Sequence, residues 1–240
     1  MPVTELALLH YKSRPSTTSS KPPVSDTTLE NLTRAARKQA SFSHYPVALL
    51  QCHEDPTLIY LIGGWDTVEQ HMNEWVPCQA NQELLKLLST DVDVKWMFHL
   101  DMDPADVVDR LVKSRQGVSD DGKDFVVAIG RHFVKEGLRE GFWATWKENV
   151  DALEDFVGGR AKREGGWRID DGVSADDRTG DRVTEKGAVP DEFVLFTAWE
   201  NVERHMDFAK TEGFMRYGKI TDYLDGAEIR HGRVFCIAEP

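Results

Sequence analysis

Trp65-Asp66-Thr67-Val68-Glu69-Gln70-His71-Met72 decides the reading of this chain, because it returns 134 residues later as Trp199-Glu200-Asn201-Val202-Glu203-Arg204-His205-Met206. Trp, Val, Glu, His and Met are identical, and Asp66 and Glu200 differ by one methylene. Each copy follows a short apolar run, Leu58 to Ile62 in one case and Phe193 to Phe196 in the other. Such a run passing into an acid and a charged segment reads as a strand turning into a helix. In the first copy Asp66 or Thr67 is placed to cap that helix, with Glu69 at capping-box distance from Asp66. A junction repeated together with its flanks predicts two copies of one domain.

The same pattern extends outward. Leu6 to Tyr11 reads as a strand, and Pro15 to Pro23 as an irregular loop. Ser25 or Asp26 can cap a helix from Leu29 to Gln39. Val47 to Cys52 and Leu58 to Ile62 are strands about the His53-Glu54-Asp55-Pro56 turn, which is expected to be solvent-exposed. A helical region then runs to about Leu88, broken at Pro77, and Val92 to Phe98 closes the unit. The order is β-α-β-β-α-β, the split β-α-β pattern of ferredoxin-like folds. The second unit repeats it, with strands at Phe125 to Phe133, from Trp167, at Phe193 to Thr197 and at Ile229 to Ala238, and a helix from Phe142 to Val157. The expected division is a first half at 1–101, a helical linker at 102–124, and a second half at 125–240 carrying an acidic loop at 170–190.

Composition excludes several classes. The net charge of −12 and the lack of a basic stripe interleaved with aromatics argue against a nucleic-acid partner. No apolar run is long enough for a transmembrane helix, and the first residues lack a basic, then apolar, leader pattern, so a cytoplasmic location without membrane association is expected. Cys52, Cys78 and Cys236 are far apart and odd in number, which suits buried free thiols. His44, His53, His99 and His231 show no metal-ligand spacing, so no metal is expected. There is no phosphate-cradling glycine loop and no Gly-x-Ser-x-Gly elbow.

With its Trp-x-x-x-Glu-x-His signal at the third strand and second helix, the chain resembles the dimeric α/β-barrel superfamily. It is most similar to the antibiotic-biosynthesis monooxygenase-type domain, here in tandem as in filamentous fungi. The resemblance implies an α+β fold in which two fused ferredoxin-like β-α-β-β-α-β halves form a one-chain pseudo-dimer of the dimeric α/β-barrel type. It implies a pocket between sheet and helices in each half. Members of the superfamily include cofactor-free monooxygenases, haem-degrading enzymes, polyketide cyclases and stress-response proteins, so fold alone does not fix function. The haem ligand of the haem-degrading relatives would fall at Leu85, ten residues after Trp75, which argues against haem. The Tyr and His of the plant-type cyclases would fall at Glu74 and Ala80, or at Phe208 and Phe214, so that apparatus is absent.

The candidate catalytic residues are therefore His205 and His71. Each is placed to move a proton near neutral pH, or alternatively to fix a helix start by hydrogen bonding. Trp199 and Trp65 can wall a flat substrate or plug the core, while Trp143, Trp146, Phe208 and Phe214 make the second half the richer in rings and single out His205. His132 and His10 lie late in the first strand of their halves and are further candidates for substrate contact. The expected function is a cofactor-independent enzyme, monooxygenase-like or cyclase-like, acting on a small hydrophobic, aromatic or polyketide-like molecule in secondary metabolism. The competing class is a non-catalytic small-molecule-binding or stress-associated protein. A homodimer of the tandem chain stays open.

Overall fold

The computed structural model describes residues 1–12, 24–116, 125–157, 164–171, 173–174 and 191–240. The Pro15 to Pro23 loop and most of the acidic loop at 170–190 lie outside the described residues. The first unit runs β1 (Val3–Tyr11), α1 (Asp26–Ser43), β2 (Val47–Cys52), β3 (Leu58–Trp65), a π-helical turn (Gln70–Trp75), α2 (Gln79–Leu88) and β4 (Val92–Leu100). Helix α3 (Pro104–Gln116) follows. The second run is β5 (Val126–Val134), α4 (Arg139–Asn149), α5 (Asp151–Val157), β6 (Glu164–Trp167), the two-residue β7 (Val173–Ser174), β8 (Glu192–Trp199), α6 (Val202–Phe208), α7 (Glu212–Tyr217), a 3-10 turn (Gly218–Tyr223) and β9 (Leu224–Ala238). The helix expected over Phe142 to Val157 is two helices meeting at Val150, and the last strand begins five residues earlier than expected, at Leu224.

Among the described residues, all nine strands belong to one sheet in the order β6-β8-β5-β9-β2-β3-β1-β4-β7, with every pairing antiparallel. The two runs are hydrogen-bonded to each other where Val47–Cys52 of β2 pairs with the C-terminal half of β9. They meet a second time where β6 ends: Leu100 bridges Arg168, Asp101 N–H donates to Trp167 O, Ile169 N–H donates to His99 O, and β7 pairs with β4. The two margins of the sheet are thus joined, and few strand edges remain to attract foreign strands.

Strand alternation sorts the side chains. Along β1, Leu6 and Leu8 enter a core shared by both runs with Trp96, Phe98, Val127, Ile129, Val194 and Phe196. Glu5, Ala7 and Leu9 face the other way, toward α1 and α2. Helix α3 adds Val107 and Leu111 to the shared core and packs on strands of both runs. Beside that core lies an ion cluster. Arg131 Nε donates to Glu192 Oε1 at 2.5 Å and Arg168 Nη1 to Glu192 Oε2 at 3.2 Å, with the Arg131 guanidinium 4.4 Å from the Trp96 ring centre. Those side chains are at most 3% exposed, so each charge depends on its partner.

Candidate active site

The repeated words build the same constellation twice. At the end of β3, Trp65 stacks on His71, ring centres 4.2 Å apart and planes within 6°. At the end of β8, Trp199 stacks on His205 at 4.3 Å and 15°. The entry turns differ. Thr67 Oγ1 accepts from Gln70 N–H at 3.1 Å while Gln70 Oε1 accepts from Asp66 N–H at 2.8 Å, so Thr67 is the capping side chain and Gln70, not Glu69, reaches back to Asp66. The turn then widens, with Val76 N–H donating to His71 O at 2.9 Å. Such π-helical insertions recur at functional sites. In the second copy Asn201 caps α6 and the turn stays α-helical.

Each histidine is the outer member of a relay. His71 Nδ1 lies 2.8 Å from His99 Nε2, and His99 Nδ1 lies 2.6 Å from Asp170 Oδ2. Asp170 Oδ1 also accepts from His99 N–H at 2.9 Å, and Arg168 Nε holds the Asp170 carbonyl at 2.8 Å. In the second copy His205 Nδ1 lies 2.7 Å from His231 Nε2, and His231 Nδ1 lies 2.5 Å from Glu54 Oε1. Both carboxylates come from the opposite half: Asp170 follows β6 and Glu54 follows β2. The turn holding Glu54 is therefore not merely a solvated cluster. Glu54 ties the two halves together, and its carboxylate accepts His231 N–H as well as the imidazole.

The carboxylates set the tautomers. A carboxylate accepts, so His99 carries its proton on Nδ1 and presents a lone pair at Nε2. His71 must then donate from Nδ1, which leaves its Nε2 unprotonated and 3.8 Å from Glu5 Oε2. Burial lowers the His71 pKa, with Glu5 opposing, His99 adding and Asp170 opposing, so this base is neutral near pH 7. Burial, aided by His231, lowers His205 further, to about 4, against Glu54. Burial acts to raise the carboxylate pKa values. Hydrogen bonds from His231 nevertheless hold Glu54 down to about 2, and those from His99 hold Asp170 below its usual value.

The halves differ in open volume. A cavity of about 310 Å³ lies between sheet and helices of the first half, lined by Glu5, Ala7, Gln39, Leu61, His71 and Trp75 among others. That volume is at the small end of ligand pockets, and the lining is mostly apolar with few polar groups. The corresponding space in the second half is about 70 Å³, lined by His132, Trp199, His205, Phe208, Phe214 and Tyr217. The aromatic wealth that singled out the second half fills it. Trp143 stacks on Trp146 at 5.0 Å, both rings pack on Phe193, and Phe208 meets Phe214 edge-on at 5.6 Å. His132 is buried, with Nδ1 3.2 Å from Phe193 O, and burial lowers its pKa. His10 stands on the β1 alternation opposite to Glu5, Ala7 and Leu9, away from the large cavity.

Sequence reasoning missed His99, His231, Asp170 and Glu54 as members of a site. One signal was available: a histidine recurs 28 residues after His71 and 26 after His205, on the last strand of each half. A search for metal-ligand spacing does not register that interval.

No protein-family model matches the chain, and no curated protein matches it. Solved structures do. A protein of Lactobacillus acidophilus described as a "putative monooxygenase" aligns with 99% of this chain and 96% of its own at TM-score 0.59 and 13% identity. One of the same description from Fusobacterium nucleatum aligns over 99% and 94% at 0.55 and 11%. An anthrone oxidase-like protein aligns over 99% and 93% at 0.55 and 9%. The likeness is one of fold. It shows a mixed α+β chain of the ferredoxin-like type, matched almost end to end. No helix among the described residues is long and apolar enough to cross a membrane.

Proposed function

We propose that the first-half cavity is an active site in which His71 removes a proton from a small, flat, largely apolar substrate, as in a cofactor-independent monooxygenase. The observation that carries this reading is the relay Asp170–His99–His71 ending in an unprotonated Nε2 beside a cavity of about 310 Å³. When Nε2 takes a proton, the imidazolium lies between the Glu5 carboxylate, 3.8 Å away, and the hydrogen-bonded relay. A buried site excludes water and strengthens both interactions. Trp65, stacked on the ring, and the Trp65 indole bond to Glu5 at 2.9 Å hold the imidazole in place. His71 Nε2 has the Glu5 carboxylate 3.8 Å away and its Nδ1 in the relay, so these residues do not suit the holding of a haem. The filled second-half cavity favours a supporting role for that half, the two runs acting as a one-chain counterpart of a two-chain barrel.

The substrate class follows the cavity and the name of one fold neighbour: an anthrone-like or other polyketide-type aromatic with an acidic C–H. Loss of that proton gives a carbanion that dioxygen can oxidise. For anthrone the balance is one anthrone and one O2 to one anthraquinone and one water. The test is oxygen uptake with a ring-hydroxylated anthrone, which follows the same balance, under exclusion of light. Wild-type protein should consume one O2 per quinone formed, and His71→Gln should lose roughly 10²–10⁴-fold in rate with its melting temperature preserved. Equal rates in the two proteins would sink the proposal. Equal loss of rate and fold would assign His71 a structural task.

A further inference from the structure

The two halves are alike in their relays and unlike in what anchors the repeated Trp. In the antiparallel pairing of β1 with β3, Glu5 stands opposite Gly63, two positions from the Val3–Trp65 pair. At the same distance from the Val126–Trp199 pair, Ala128 stands opposite Thr197. In the second half the Trp199 indole donates to Thr197 Oγ1 at 2.8 Å. In the first half the Trp65 indole donates instead to Glu5 Oε2 at 2.9 Å, and Gln39 Nε2 donates to the same oxygen at 2.7 Å. A Cβ at Gly63 would run into the Gln39 amide and the Glu5 carboxylate, so glycine is what admits this pair. Carboxylate and glycine thus go together, where an alanine and a threonine would have sufficed to anchor the indole.

Glu5 is 5% exposed and lines the cavity. Oε2 carries both donors, and no described residue donates to Oε1. Oε1 is thus the carboxylate oxygen left to meet a donor from whatever occupies the cavity, and an acceptor there favours a ligand that brings one. We infer that Glu5 is the specificity-determining residue of the first-half cavity, selecting apolar ring compounds that carry a hydrogen-bond donor and seating that donor beside His71 Nε2. The inference rests on the first-half cavity being the working one, and it names the substrate feature that the cavity reads: a ring hydroxyl is taken, a ring carboxylate is repelled.

Binding separates this from turnover. Isothermal titration of the full chain with 1-naphthol, 1-methoxynaphthalene and 1-naphthoate compares donor, acceptor and anion on one ring. Wild-type protein should bind 1-naphthol at least tenfold more tightly than 1-methoxynaphthalene, because bonds to charged acceptors are the stronger class, and should not bind 1-naphthoate. In Glu5→Gln the amide oxygen can still accept from Trp65 and Gln39 while its NH2 turns to the cavity, so the preference should vanish or reverse toward the ether. Equal affinity for naphthol and ether in wild-type protein overturns the inference without any variant. So does a naphthol preference that survives Glu5→Gln. Because the readout is a ratio of affinities, it stands or falls apart from anthrone oxidation: a donor preference in a protein that does not consume oxygen would leave Glu5 assigned and remove only the proposed reaction.

Discussion

Asp170→Asn tests the relay at the residue farthest from the cavity. Asp170 accepts twice from His99, from the backbone N–H at 2.9 Å and from Nδ1 at 2.6 Å. Asparagine has one acceptor oxygen and must abandon one of these donors. The backbone N–H cannot change its character, whereas an imidazole can move its proton. The amide oxygen therefore stays with the backbone, its NH2 donates to His99 Nδ1, and the His99 proton shifts to Nε2. His71 Nδ1 must then accept, and its own proton moves to Nε2, the atom needed as base. One atom's change is transmitted through two rings to a group that Asp170 does not touch. The expected loss of turnover is about 10²–10⁴-fold, the range for a general base and for a wrong-tautomer imidazole. The lost charge-assisted bond costs about 1–2 kcal/mol, below the buried value because the Asp170 side chain is 22% exposed. Long-range proton–nitrogen NMR of histidine-labelled protein reads the tautomers directly, and oxygen uptake reads the rate. An unchanged His71 tautomer in folded Asp170→Asn protein would refute the reasoning, whatever the rate.

Four further outcomes are expected. The rate of the proposed reaction should fall on the acid side with a midpoint below 6.5, since burial lowers the His71 pKa and the free base is present above it; a midpoint above 7 would remove His71 as the base. Ala7→Leu, which adds carbons to the wall of the large cavity, should raise KM more than tenfold while the melting temperature moves by only a few degrees. Melting temperature should fall with acid in two stages. His205, lowered to about 4, contributes stability that is full above its unfolded value near 6.5 and is lost from there to about 4. Glu54, lowered to about 2, contributes stability present above about 4.5 and lost toward 2, so His205→Asn should flatten the upper stage and Glu54→Gln the lower. Arg131→Met should cost about 3 kcal/mol in urea denaturation, because Glu192 keeps only Arg168 in a buried site; a neutral result would show that the cluster carries no net stability.

Much of the fold was legible in the chain because its signals are local. The apolar runs before Trp65 and Trp199 became β3 and β8, and the acid-rich segments after them became helical turns. The break at Pro77 fell between the π-helical turn and α2. Errors arose where tertiary contacts overrode local preference. The apolar stripe from Phe142 to Val157 ran as two helices, and the last strand reached back to Leu224 because β5 pairs with it as far as Val134. His71 was legible as a candidate from its repetition, and its partner His99 was not, since no helix or strand period joins two histidines 28 residues apart.

The sequence by itself determined the order of strands and helices and the placing of a Trp and a His at each strand–helix junction, because alternation, capping and repetition act over a few residues. Only the tertiary structure decided which half is open and which groups complete each relay. Openness is the difference between the space under the helices and the summed volume of the rings that enter it, and the rings counted in favour of the second half are what close it. The relay carboxylates lie 71 and 177 residues from their histidines, Asp170 from His99 and Glu54 from His231, so no local period encodes them. They come into place only when each half supplies the loop that the other lacks.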